Sequence, residues 1–150
     1  MSIRKVIVGL LFILVAVALV LLMPRDLDWA LGENYDVSKI QDIQVRLDPV
    51  DGGESLSCTL NKGEDAYVKV LTLIQKPSYS RTFSKEEEGG LDYLVTLTLS
   101  NSVKSWDVVL DGGKQVALGA QDNAKLKICQ ISGGQETQQE ILDYLLTQAS

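Results

Sequence analysis

The chain of 150 residues contains no histidine. Ser-His-Asp and Cys-His nucleophilic systems, in which an imidazole takes and returns a proton, therefore cannot be assembled. Histidine ligation of a metal is excluded with them. Cysteine is nearly absent: Cys58 and Cys129 are the only two. One pair is not the disulfide framework that braces many small secreted domains. No G-x-G-x-x-G or Walker pattern occurs, so the usual glycine-rich phosphate loops are missing. Repeats and low-complexity segments are also missing. Positive charge is scarce beyond the N-terminal region. From Asp26 onward eleven Lys and Arg face twenty Asp and Glu, a net −9, although the whole chain carries −6. An acidic surface attracts neither phosphate backbones nor anionic lipid, which argues against nucleic acid as a partner.

Without histidine, catalysis falls back on paired carboxylates or on Ser–Lys. Ser-x-x-Lys occurs once, from Ser2 to Lys5, in a basic leader outside any folded pocket. Ser38-Lys39 and Ser84-Lys85 are merely adjacent, and Ser102-Val103-Lys104 has the wrong spacing. Asp48, Asp51 and Glu54 recur every three residues around Gly52-Gly53. Such oxygens can cradle Ca²⁺, but the EF-hand pattern is not met and an Asp- and Gly-rich turn accounts for the same residues. Glu86, Glu87 and Glu88 read as a solvated loop, or as a contact for a basic partner. Tyr79, Arg81 and Phe83 share one side of a strand. Arg between rings can make a binding surface, or the rings are core and the Arg extends to the edge. Trp106 with Tyr93 reads as core. No catalytic, cofactor-binding or metal-binding residue is assigned, and no cofactor is implied.

What the chain does have is Val6–Met23, eighteen residues without charge or hydrogen-bonding side chain. As a helix at about 1.5 Å per residue it covers roughly 27 Å, close to the hydrocarbon core of a bilayer. Arg4 and Lys5 precede it, and the side-chain charges of Arg25 and Asp26 cancel after it. The positive-inside rule then puts residues 1–5 in the cytoplasm as a leader, 6–23 in the membrane as a signal-anchor, and the remainder outside. A cleaved signal peptide is the competing reading. Its small-x-small site, Ala16-Val17-Ala18, lies five residues before the apolar run ends, whereas cleavage sites belong at the end. Both readings export the acidic remainder of the chain. Gly9, Ala16 and Ala18 are the anchor's only small residues and no two are four apart, so a small-xxx-small pairing face is lacking.

Residues 24–38 read as a linker whose few apolar side chains either lie along the membrane or pack on the domain; Trp29 sits at headgroup level or in that packing. Residues 39–150 read as one extracytoplasmic domain with one core. Strands are expected at Ile40–Leu47 and Leu56–Leu60, from alternation of apolar and polar residues. Pro49 and Asp51-Gly52-Gly53 turn one into the other. Asn61 and Glu64 resemble a capping box opening a helix from Lys62 to about Gln75, with Tyr67, Val70, Leu71 and Ile74 on its apolar stripe. Short strands follow at Tyr79–Ser84, Leu91–Leu99, Trp106–Leu110, Val116–Leu118 and Leu126–Ile131. The second of these is the clearest strand in the chain, and Leu94 on its other face suggests a central position. Asp111-Gly112-Gly113-Lys114 is the sharpest hairpin signal among them. Ser132-Gly133-Gly134-Gln135 offers a second capping box before a helix from Gln135 to Gln148 with Ile141, Leu142, Tyr144 and Leu145 inward. The expected fold is α+β: a mainly antiparallel sheet with two helices on one face. Cys58 and Cys129 both lie in apolar strand runs; a single disulfide and two buried thiols are both open.

The anchor, the helix DAYVKVLTLIQK, the hairpin-rich middle and the terminal ILDYLL resemble uncharacterised single-pass exported domains of Gram-positive bacteria, a domain of unknown function. The resemblance spans roughly Ile40–Leu146 and implies no activity. The expectation is a membrane-anchored extracytoplasmic interaction or ligand-binding module with an envelope protein as partner. The alternatives are a cell-envelope enzyme or inhibitor acting through carboxylates, and a structural subunit of a membrane complex.

Overall fold

The structure is a computed structural model and describes residues 2–82, 89–123 and 125–149. Helix α1, Ile3–Leu21, is apolar along nearly its whole length and none of its residues is buried. The Ser2 hydroxyl caps its first turn by accepting from the Lys5 N–H. Its nineteen residues are long and apolar enough to cross a membrane.

The chain then joins the domain at once. Arg25 exchanges backbone hydrogen bonds with Tyr79, N–H to carbonyl in both directions, at 2.7 and 2.8 Å. Helix α2, Leu27–Leu31, follows, capped by the Asp26 carboxylate on the Trp29 N–H. Residues 24–38 pack on the domain: Leu27, Ala30, Leu31 and Tyr35 are all core. Apolar residues spaced three and four apart give even this short helix one inward face.

Seven strands form one antiparallel sheet in the order β2-β1-β4-β5-β6-β7-β3. They are β1 Asp42–Pro49, β2 Leu56–Asn61, β3 Tyr79–Arg81, β4 Tyr93–Ser100, β5 Ser105–Leu110, β6 Gln115–Ala120 and β7 Lys127–Ile131. Phe83 and Ser84, expected to continue β3, lie outside the described residues, as do Glu86, Glu87 and Glu88. The register runs Leu60–Ile43–Leu99–Trp106–Ala120 across one row and Cys58–Val45–Leu97–Val108–Leu118 across the next. Period-two alternation thus sends every apolar row to the same face. Helices α2, α3 (Asp65–Gln75) and α4 (Gly134–Leu146) cover that face. The opposite face carries Gln44, Arg46, Thr96, Thr98 and Asp107 and has no covering layer among the described residues. β4 lies between β1 and β5, yet Leu94 on its far side is exposed.

Both helices start differently from the capping-box expectation. Asn61 Nδ2 donates to the Glu64 carboxylate at 3.0 Å, side chain to side chain, so α3 opens at Asp65 with no side-chain cap. Ser132 is drawn to the sheet instead: its hydroxyl accepts from the Ser78 N–H at 2.9 Å. Gly133, at φ +77, makes the turn into α4 without a side-chain cap. Trp106 is buried, and its ring partner is Tyr35 in an edge-to-face contact at 5.5 Å. Tyr93 is only half-buried. Cys58 in β2 and Cys129 in β7 are free thiols five strand spacings apart. That is roughly 24 Å, far beyond the ~7 Å a disulfide spans, so the pair cannot bridge within one chain.

Burial pushes the hydroxyls of Tyr35 and Tyr79 well above their ordinary titration range. Tyr79 donates to the Ile74 carbonyl at 2.6 Å, whereas the Tyr35 hydroxyl has no partner among the described residues. Tyr35→Phe should therefore leave stability equal or raise it by about 1 kcal/mol, because an unpaired buried hydroxyl is lost. Trp106→Ala should cost about 3–5 kcal/mol. Burial pushes the Cys129 thiol up as well, so stability of the unmodified chain should begin to fall above about pH 8.5, where the unfolded chain ionises its thiols, and fall further above about pH 10, where only the unfolded chain ionises these tyrosines. Urea midpoints of the three proteins across pH check all of this.

Candidate functional site

A cleft of about 1140 Å³ lies where three Gly-Gly pairs converge. They are Gly89-Gly90 before β4, Gly112-Gly113 in the β5–β6 turn, and Gly133-Gly134 at the start of α4. Each reads as a turn in the sequence; together they also let three backbones meet. A Cβ on Gly89 would stand inside the backbone of Gly112 and Gly113, and one on Gly112 would meet the backbone of Leu91. Gly112 moreover sits at φ +99, which other residues rarely adopt.

Gln138 locks this junction. It is fully buried on α4. Its Oε1 accepts from the Gly112 N–H at 2.7 Å. Its Nε2 donates to the carbonyls of Gly113 and Gln115. One amide thus satisfies three main-chain groups of the β5–β6 hairpin and fixes α4 against it. The signal was in the periodicity: Gln138 stands three and four residues before Ile141 and Leu142, on the same inward stripe. A polar residue there implies buried partners.

The floor is set by backbone bonds between the Ser132 N–H and the Ser78 carbonyl at 2.9 Å, and the Ile131 N–H and the Lys114 carbonyl at 3.0 Å. Around it stand Ser80, Gln130, Gln135 and Gln139. Glu136 is the single carboxylate and Lys114 the single cation in the described lining. The described lining is therefore close to neutral and supplies main-chain, hydroxyl and amide groups. It can exchange hydrogen bonds with a neutral polar ligand. The pair of carboxylates that glycosidic hydrolysis uses is not among these lining residues.

The other sequence candidates resolve locally. Asp48 accepts from Arg46 Nε at 3.0 Å and from the Ser55 hydroxyl, and these bonds, Ser55 first, hold its carboxyl below the ordinary range. Asp51 accepts from the Gly53 N–H at 3.1 Å. Asp48 and Asp51 therefore shape a hairpin turn in which Glu54 is exposed, and among the described residues no His, Cys, Asp or Glu cluster fit for a metal ion is present. Tyr79 is core, and Arg81 lies over Trp29 with its guanidinium carbon 5.5 Å from the ring centre. Lys127 Nζ also sits over that ring at 4.3 Å. Trp29 is thus held to the sheet by two cations, each contributing about 0.5–1 kcal/mol at such exposure.

Fold and site together define a small α+β domain carrying a candidate membrane-spanning helix at its N-terminus. Comparison with protein-family models, with curated proteins and with solved structures finds no match for this chain.

Gln138→Ala leaves buried donors and acceptors of the β5–β6 hairpin unpaired, and should destabilise the domain by about 1–3 kcal/mol. Gln139→Ala, one residue on and at the cleft mouth, should fall within about 0.5 kcal/mol of the parent. Equal losses in chemical denaturation would show that the Gln138 amide does not hold the junction.

Proposed function

We propose that the protein is a membrane-anchored, extracytoplasmic, non-catalytic binding module that presents the glycine-lined cleft to a neutral polar ligand on an envelope protein. The observation that carries the anchor is α1 itself: a nineteen-residue helix, apolar apart from Arg4 and Lys5 and with none of its residues buried, a surface that water does not tolerate and lipid does. Arg4 and Lys5 at its start favour a cytoplasmic N-terminus. The short path from Leu21 to the paired Arg25 leaves little free chain between anchor and domain. The domain is thus held near the bilayer surface, where its ligand must be. The cleft supports binding through its supply of Ser, Gln and main-chain groups, with Lys114 and Glu136 balancing in charge.

Two measurements test this. Val103 is 84% exposed at the β4–β5 turn. Val103→Cys should react with a membrane-impermeant maleimide on intact cells at least tenfold more than the parent. Reaction only after lysis contradicts the orientation. A photo-crosslinking amino acid at Gln139, in the cleft, should capture an envelope protein, whereas one at exposed Val50 should not. Equal capture at both positions contradicts the cleft as binding surface.

A further inference from the structure

The two edges of the sheet are unequal. The β3 edge is only three residues long, carries Arg81, and is closed by the backbone bonds from Arg25. The β2 edge is six residues long, Leu-Ser-Cys-Thr-Leu-Asn, with no charge and no proline. Edge strands of soluble domains are ordinarily blunted by such residues, because open backbone groups template further pairing.

The phase of the ladder shows which groups are open. The Lys62 N–H donates to the Gln41 carbonyl at 2.9 Å, in the register that pairs Leu60 with Ile43 and Cys58 with Val45. The bonded partners of β1 on this side are therefore Leu56, Cys58 and Leu60. The Val50 N–H donates to the Asp92 carbonyl at 3.0 Å, which turns the alternate residues of β1 toward β4 and agrees with that phase. Ser57 and Thr59 consequently point their N–H and carbonyl groups away from the sheet. No backbone bond among the described residues reaches them, and both side chains are exposed on the polar face.

We propose that β2 is a self-association edge: two copies pair antiparallel through β2 about a twofold axis at Cys58, continuing the sheet from one chain into the next. The occupant is a second copy because the strand complements itself. An antiparallel twofold at Cys58 pairs Ser57 with Thr59 of the other copy in both directions, using the open backbone groups. Leu56 then faces Leu60 on the covered face, beside the half-buried Cys58 and Leu71. Extending the same register brings Glu54 opposite Lys62 at both ends, so the flanks attract. The uncharged strand meanwhile places no like charges directly opposite each other along the pairing. The two Cys58 residues meet as a pair without mutual backbone bonds, where Cα atoms stand about 4.5 Å apart, within disulfide range.

The full-length chain in detergent supplies the test. Diamide, a diazene oxidant, takes two hydrogens from two thiols, leaving one disulfide and a hydrazine. Treated with it, the chain should run at twice its mass on denaturing gels, reversibly with dithiothreitol, and Cys58→Ser should abolish the band. Thr59→Pro removes one open N–H without touching the β1 ladder. It should fold normally by circular dichroism, reduce the crosslink at least tenfold, and shift sedimentation from dimer to monomer. Cys58→Ser alone should still sediment as a dimer. In that background Ser57→Cys should crosslink at least fivefold less than the parent. A monomeric parent, a crosslink insensitive to Thr59→Pro, or stronger linking from position 57 would overturn the proposal.

Discussion

A seven-stranded sheet with one apolar face has to be covered, and that requirement organises this molecule. The alternation along β1, β4, β5 and β6 directs Ile43, Val45, Leu47, Val95, Leu97, Leu99, Trp106, Val108, Leu110 and Leu118 to a single side. Exposing such a face costs roughly 25 cal/mol for every Å² of apolar surface. Helices α3 and α4 supply cover, as two amphipathic stripes do in α+β domains. They do not suffice alone. The segment directly after the anchor, with Leu27, Ala30, Leu31 and Tyr35, completes the core, and Trp106 rests its ring against Tyr35. Helix α1 is therefore followed at once by a segment that belongs to the domain's core.

The same requirement explains where the cleft and the open edge lie. Three glycine pairs let the β5–β6 turn, the chain entering β4 and the start of α4 approach closely, and the Gln138 amide converts that approach into satisfied hydrogen bonds. The helix that covers the core thereby also builds one wall of the cleft. On the other side of the sheet, Arg25 closes the β3 edge while β2 keeps the groups of Ser57 and Thr59 unpaired. One end of the sheet meets the chain leaving α1, and the other keeps an open strand edge.

Much of this was legible in the chain. Seven strands and the two long helices lie where alternation and helical spacing put them, because period-two and period-3.6 patterns report directly on one buried face. Local hairpins were legible from Asp-Gly and Gly-Gly turns. The strand order was not: nothing in the sequence places β4 beside β1 or sends β3 to the far edge, since these pairings join residues distant along the chain. The expected capping boxes did not form because Asn61 and Ser132 spend their side chains on Glu64 and Ser78 instead of on helix N–H groups; α3 starts three residues late, whereas α4 starts within one residue of its expected place. Tyr35 escaped attention because one aromatic in a charged stretch has no periodic neighbours. The cleft escaped because three separate turns signal themselves individually, and only tertiary packing brings them together.

The central claim is that α1 sits in lipid and holds the remaining chain at a membrane surface. Alkaline carbonate extraction of membranes tests it directly, comparing the whole chain with residues 24–150 produced alone. The account predicts that the whole chain stays with the membrane pellet while the shortened chain is recovered folded in the supernatant. Quantitative release of the whole chain into the supernatant would contradict it.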